Sequence, residues 1–276
     1  TIVNMKKHAK KLFDALQSEC EKESAFYITT ELCPAHRRVM IEQVKKRLRD
    51  GLPCRVIATQ CIEAGVDLDF DNVFRALAPL ESIIQAAGRC NRNGRLPEGG
   101  QVLVFLPDEE NLYPDNWYGR AAMLVSALHD EKPIDLMNPS DIQRYYQRLF
   151  RKLKGSSELD SAIKAQDYAL VEKNYRIIKN DGVQVLVPYE PENKMFEKLK
   201  EEALEHGLTM KWMHEAAPLC VTVYPDDFFS GYAEQLCFAA KRNESAQPSG
   251  YWVLCRKENY HMDTGLQLKN NSDYMW

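Results

Sequence analysis

The chain has 276 residues, 45% of them apolar and 28% charged, a balance that excludes a disordered, collagen-like or coiled-coil protein. At roughly 150 residues per domain this length suits two domains, and no apolar run approaches the roughly 18 residues that span a bilayer, so no membrane partner is expected. The net charge of −4 argues against a protein that coats nucleic acid non-specifically, yet residues 1–107 carry a net +3 and residues 108–276 a net −7. A polyanion would meet the first part. The opening TIVNMKKHAKKL has neither a starting Met nor a signal-peptide core. It reads as the end of a strand, so the chain is expected to be a piece of a longer protein.

In chain order, strands are predicted at 1–4, 25–30, 54–59, 72–78 and 101–107, with helical patterns at 5–20, 35–49 and 82–90 between them. Such alternation indicates a parallel, doubly wound sheet, and Pro34 suits the first turn of the second helix. From about 111 to 180 the pattern is mostly helical. In IQRYYQRLFRKL, Ile142, Tyr145, Tyr146, Leu149 and Leu153 share one face, with Arg144, Arg148 and Arg151 opposite. That pattern reads as a core-facing stripe backed by solvated charge, in preference to a nucleic-acid surface. From 181 a second alternating region begins, with GVQVLVPY, a charged helix at 192–206, LCVTVYP and YWVLCRKENYHMDTGLQL, and a polar, mobile loop at 241–250. The eight cysteines contain no C-x-x-C pair, which zinc ribbons need. Several, such as Cys54 and Cys255, border apolar runs and read as buried thiols of a reducing cytoplasm.

Three segments carry chemistry. In LESIIQAAGRCNRNG (80–94), Ser82 is placed as the N-cap, and Gln85, Arg89 and Arg92 fall at i, i+4 and i+7 of one face if the helix reaches Arg92. Gly88 beside them allows close approach of a ligand. Two forked guanidiniums and an amide suit a phosphate. In VIATQCIEAGVDLDFDNVF (56–74), Thr59 and Gln60 emerge at the carboxyl end of a buried strand, where open α/β sheets bind ligands. They can bond a nucleic-acid backbone, and Asp67 a ribose hydroxyl. A calcium loop of Asp67, Asp69 and Asp71 fails for want of its glycine and terminal glutamate, and turn-capping stays open for Asp69 and Asp71. In FYITTELCPAHRR (26–38), Thr29, Thr30 and Arg37 stand at another strand-to-helix junction suited to a phosphate.

Together these segments resemble motifs IV, V and VI of superfamily 2 helicases, in order. VIATQCIEAGVDLDFD and QAAGRCNRNG are similar to the versions in the CRISPR-associated helicase–nuclease of type I systems, as are VNMKKHAKKL, VEKNYRIIKNDGVQVLVPY and YHMDTGL. The resemblance implies an α/β fold: a second RecA-like domain over 1–110, a helical linker over 111–180 and a smaller α/β accessory domain over 181–276. It implies that Arg92 acts as an arginine finger on ATP, with Arg89 and Gln85 lining the nucleotide and Gly65, Asp67 and Gly88 in the same site. Thr59, Gln60, Thr29, Thr30 and Arg37 would touch single-stranded DNA. ATP and Mg would be held mainly by an absent first RecA-like domain, joined to a nuclease, and an RNA-guided surveillance complex would recruit the whole. No G-x-x-x-x-G-K-[ST] occurs in the sequence, so nothing here cradles the β- and γ-phosphates. QVLVFLPDEE mimics a Walker B strand but reads as the last sheet strand and a turn. His129–Asp130 spells the nuclease dipeptide but reads as a helix C-terminus. No protein metal site is expected. The rival reading is a non-catalytic docking module for the surveillance complex.

Overall fold

The computed structural model describes residues 1–152, 157–174, 182–189, 191, 193–224, 231–239 and 247–268. β1 (Ala25–Ile28) pairs in parallel with β2 (Arg55–Ala58), and β3 (Asn72–Ala76) in parallel with β4 (Gln101–Phe105). Ile2 joins the two pairs by bridging Ala58 on one side and Arg75 on the other, both in parallel. Its N–H donates to the Phe74 carbonyl at 2.8 Å, and its carbonyl accepts from Ala76 at 2.9 Å. The sheet therefore runs β1-β2-Ile2-β3-β4. All of it is parallel, as the alternating pattern predicts.

The apolar runs of β1 and β2 are buried because helices cover both faces. α1 (Lys6–Gln17) sets Ala9, Phe13 and Leu16 against Tyr27 and Ile57. α2 (Pro34–Arg49), with Pro34 in its first turn, lays Met40, Val44 and Leu48 on the opposite face. β4 is an exposed edge strand, with Leu103 54% accessible. Beyond it, α4 (Asn116–Glu131) and α5 (Pro139–Lys152) pack against α3 (Leu80–Ala87) through Leu80, Leu128, Tyr145 and Leu149. The arginine stripe predicted as solvated charge is partly tied back to α4. Arg144 donates to the Lys132 carbonyl at 2.9 Å, and Arg148 grips Glu131 at 2.9 and 3.1 Å. Leu153 lies outside the described residues.

After α6 (Ser157–Ala165) and α7 (Tyr168–Asn174), the chain forms a mixed sheet. Its strands are β5 (Val183–Leu186), β6 (Cys220–Val223), β7 (Ala233–Cys237) and β8 (Pro248–Leu254), in the order β6-β5-β8-β7 with β5 and β8 parallel. α8 (Asn193–His206) and α9 (Met210–Ala216) cover it, and the buried Trp212 donates from Nε1 to the Leu199 carbonyl at 2.7 Å. A small antiparallel pair, β9 (Tyr260–His261) and β10 (Gly265–Leu266), follows. Two local expectations need correction. Residues 248–250 of the expected loop belong to β8, while 241–246 lie outside the described residues. Cys255 is exposed, because β8 ends at Leu254 and the chain turns outward.

A charged residue in the apolar run NVFRALA has to find partners if it is buried. Arg75 is 0% exposed. Its Nη1 donates to Asn4 Oδ1 at 2.8 Å and the Ala76 carbonyl at 2.9 Å, its Nη2 to the Tyr118 hydroxyl at 2.9 Å, and its Nε lies 2.8 Å from Glu63 Oε1. One guanidinium thus joins the central strand, the loop after β2 and α4. Burial raises the Glu63 carboxyl above its usual value, against the pull of Arg75 and the Ser82 hydroxyl. Arg75→Met leaves that carboxylate buried alone and should destabilise the fold by about 3–5 kcal/mol. Adding Glu63→Gln should recover much of the loss. Urea unfolding of the double-mutant cycle checks this, and strictly additive losses would show that the two residues do not act as a pair.

Candidate nucleotide and strand sites

The loop after α3 is where sequence periodicity and structure part. The helix ends at Ala87 with Gly88 as its C-cap, so Gln85, Arg89 and Arg92 do not share one helical face. Asn91 turns the chain with φ of 44°, and its side chain clasps Leu96 through bonds of 2.9 and 3.0 Å. Asp69 then collects the loop. Its carboxylate accepts the Arg92 N–H at 2.7 Å, the Asn93 N–H at 3.3 Å and Arg95 Nε at 3.1 Å. Burial opposes its ionisation, yet these donors hold the carboxyl below its usual value. Asp69 is therefore a turn-capping residue. The helix begins at Leu80 after Pro79, so Ser82 is not the N-cap but a buried first-turn residue.

The same loop still gathers several expected site residues. Arg92 Nε lies 3.2 Å from Asp67 Oδ1, the two side chains being 44% and 76% exposed. Gly65, two residues earlier, has φ of +72°, which favours glycine. Arg89 is a correction. It is buried, and its Nη2 donates to the Glu63 carbonyl at 2.7 Å, so its guanidinium holds the loop after β2 instead of facing outward. Gln85 and Gly88 are exposed on the helix and at its end.

The second gathering place lies at the carboxyl ends of the strands. A cavity of about 500 Å³ has Lys6, Thr30, Arg37, Thr59 and Gln60 on its floor and Gln184, Thr222 and Tyr224 from the C-terminal sheet on its roof. α1 and α2 both begin beside it, and neither N-cap residue, Met5 or Cys33, caps its helix with a side chain. Uncapped N–H groups with Lys6 and Arg37 favour an anion. Gln60 donates to the Asn4 carbonyl at 3.2 Å, and its buried Oε1 has no partner among the described residues. Thr29 departs from expectation. It is fully buried, and its hydroxyl bonds Glu31, accepting that residue's N–H at 3.1 Å and donating to its carboxylate at 3.2 Å. It can act on a ligand only by positioning the turn. Arg37 also lines a groove of about 280 Å³ that includes Arg38, Lys45, Gly65 and Asp67.

Sequence reasoning missed Lys6, Glu63 and Arg75. A cation directly after the first strand was a legible signal for Lys6, and a lone arginine in an apolar run for Arg75. Burial lowers the Lys6 ammonium, with Glu31 pulling it up. Among the described residues no group of three or more His, Cys, Asp or Glu could hold a metal ion. His129 sits in the last turn of α4, where its Nδ1 faces the Ile134 N–H at 3.3 Å.

Residues 1–95 match the family model described as CRISPR-associated nuclease/helicase Cas3, C-terminal. The chain corresponds to the C-terminal part of the Cas3 family. The Cas3 nuclease/helicase of Haloferax volcanii is 52% identical over 84 residues, 28% of this chain and 9% of its own. That of Methanothermobacter thermautotrophicus is 26% identical over 204 residues, 68% of this chain and 24% of its own. The crystal structure of T. fusca Cas3-ATP superposes with a TM-score of 0.59 at 16% identity, covering 92% of this chain and 35% of that one. A chain of a CRISPR RNA-guided surveillance complex, pre-nicking, gives 0.53 at 16% identity, over 92% and 36%. At such identities the superpositions show the shared Cas3 fold. The chain spans about a quarter or less of these Cas3 relatives and about a third of the solved chains.

The two sheets of this Cas3-type chain meet at His36. It is buried, stacks on Tyr189 with ring centroids 4.6 Å apart, and sets Nδ1 2.9 Å from the Tyr260 hydroxyl. Burial pushes the imidazole down to about 4, although the Met262 carbonyl and Asp263 act against it. A solvated histidine titrates near 6.5. The native state thus binds the proton less readily than the unfolded chain. The docked arrangement is fully favoured above pH 6.5 and loses stability as pH falls from there toward 4, at no more than about 1.4 kcal/mol per unit. Denaturant midpoints at neutral and acidic pH, for wild type and His36→Gln, check this. The variant should lose less on acidification, and an equal loss would assign the dependence to other groups.

Proposed function

We propose that this chain is the second motor lobe, with its accessory domain, of an ATP-driven single-stranded DNA translocase and helicase in type I CRISPR interference. Residues 1–110 would form the lobe, 111–180 the linker and 181–276 the accessory domain. The observation that carries this reading is the state of Arg92. Its backbone is pinned by buried Asp69, while its guanidinium is held at the surface by an exposed carboxylate. An exposed ion pair contributes about 0–1 kcal/mol, so a phosphate can draw the side chain off Asp67 without disturbing the loop. That is a suitable resting state for an arginine finger.

In this reading Gly65 and Asp67 approach the nucleotide, with Gln85 and Gly88 on the neighbouring helix end and Arg89 positioning the loop beneath. Thr30, Arg37, Thr59 and Gln60 meet the DNA backbone, with Thr29 behind them. A first RecA-like domain joined to a nuclease would supply the phosphate cradle and hold ATP and Mg, since the sequence lacks G-x-x-x-x-G-K-[ST]. Nucleotide in the cleft would draw the lobes together and hydrolysis would release them, moving the strand stepwise. The recruiting partner would be an RNA-guided surveillance complex, and the setting the cytoplasm. A docking module without motor function is the alternative. It predicts no ATPase after the two halves are mixed.

The isolated chain should hydrolyse no ATP and should bind single strands weakly, with strong salt dependence. In the reassembled enzyme, Arg92→Ala should reduce DNA-stimulated turnover by about 10³–10⁵ while nucleotide affinity changes little. Arg92→Lys should fail nearly as badly, because an ammonium lacks the forked geometry. Steady-state ATPase and nucleotide affinity measured side by side decide the matter. Near-normal turnover in either variant would make Arg92 a structural loop residue.

A further inference from the structure

We propose that residues 259–267 form a latch that gates the strand-end cavity, closing the C-terminal sheet over the carboxyl ends of the parallel sheet. The inference rests on the reading of that cavity as a strand site and concerns its regulation. The cavity floor and roof come from sequence regions far apart, Lys6 to Gln60 below and Gln184 to Tyr224 above. A strand with a free end can thread such a space. A strand without one enters only sideways, after floor and roof have separated.

What keeps them together is concentrated on one turn, residues 31–36. The Tyr260 hydroxyl accepts the Cys33 N–H at 3.1 Å, lies 3.3 Å from Cys33 Sγ and meets His36 Nδ1 at 2.9 Å. The Leu266 N–H donates to the Glu31 carbonyl at 2.9 Å, and Gln267 Nε2 reaches the Glu31 carboxylate at 3.4 Å. Gly265 makes this approach possible. Its φ is +76°, and a Cβ there would run into the Glu31 carbonyl. Elsewhere on this turn the contact rests on small side chains, Cys33 and Ala35, against the core of the C-terminal sheet. The turn that the latch grips also places Thr30, Pro34 and Arg37 in the cavity. Opening the latch would therefore loosen the floor as it lifts the roof.

The latch can be weakened without touching the cavity wall. Gly265→Ala removes the close approach, and Tyr260→Phe removes the hydroxyl hub. Hydrogen exchange of the 276-residue chain reads the latch directly. Both variants should speed exchange at the Cys33 and Leu266 amides while leaving β5 and β8 protected. The gate is read at low salt, by association of a labelled oligothymidine and of the same sequence closed into a circle. Wild type should take up the circle roughly tenfold more slowly than the linear strand, since entry waits on a conformational change. Both variants should close that gap. If wild type binds both forms at equal rates, or the variants speed exchange and leave the gap intact, the latch is not a gate although the strand site stands. If no form binds to any variant, the strand site falls and the gate with it.

Discussion

The contact between Arg75 and Glu63 is the constraint on which both halves of the candidate machinery depend. Arg75 lies in the middle of the parallel sheet with no exposure to water, and its four groups of partners come from four parts of the chain. Glu63 then serves twice. Its carboxylate faces Arg75, and its carbonyl accepts Arg89 from the segment after α3. The position of the loop that carries Gly65 and Asp67 is thereby coupled to the position of the loop that carries Arg92. Buried ion pairs contribute little net stability, but losing one partner is costly. Such a pair specifies an arrangement more than it strengthens one. Tyr118 extends the specification to α4.

Rigidity at the Arg92 loop has a different origin. Asn-Arg-Asn-Gly has no apolar anchor, and an exposed loop of this composition would ordinarily sample many conformations. Here one carboxylate, that of Asp69, takes two backbone N–H groups and a guanidinium, and Asn91 closes the turn on Leu96. The main chain at Arg92 is fixed from below, while its side chain keeps only an exposed partner. Fixing the backbone and freeing the tip reduces the entropy lost when a ligand recruits that tip.

The sheet was legible in the sequence because its inner strands are short apolar runs between amphipathic helices, and such runs become central parallel strands once both faces are covered. The end of α3 was not legible. Ala-Ala-Gly-Arg is compatible with a continuing helix, and the force that stops it comes from Asp69, nearly twenty residues away. Local periodicity carries no trace of that capture. The burial of Thr29 escaped for a similar reason, since a threonine at a strand end looks available until Glu31 folds back onto it. Tyr260 was further out of reach. Its partners Cys33 and His36 lie 227 and 224 residues away, and no spacing rule connects them.

A mechanical consequence follows from the order of residues between β2 and β3. Thr59 and Gln60 open the loop at the cavity floor, Glu63 anchors its middle to Arg75, Gly65 and Asp67 form the rim facing Arg92, and Asp69 secures its end. Within eleven residues the chain passes from the strand site to the nucleotide site, with a buried charge pair between them. Arg37 borders both the cavity and the groove beside Asp67. A pull on Asp67 or Arg92 cannot be absorbed at Glu63 without exposing an unpaired buried charge, which costs several kcal/mol. The low-cost response is for the loop to move as one piece about that anchor, carrying Gln60 with it. Phosphate chemistry at one end of the loop would then be felt as displacement at the other.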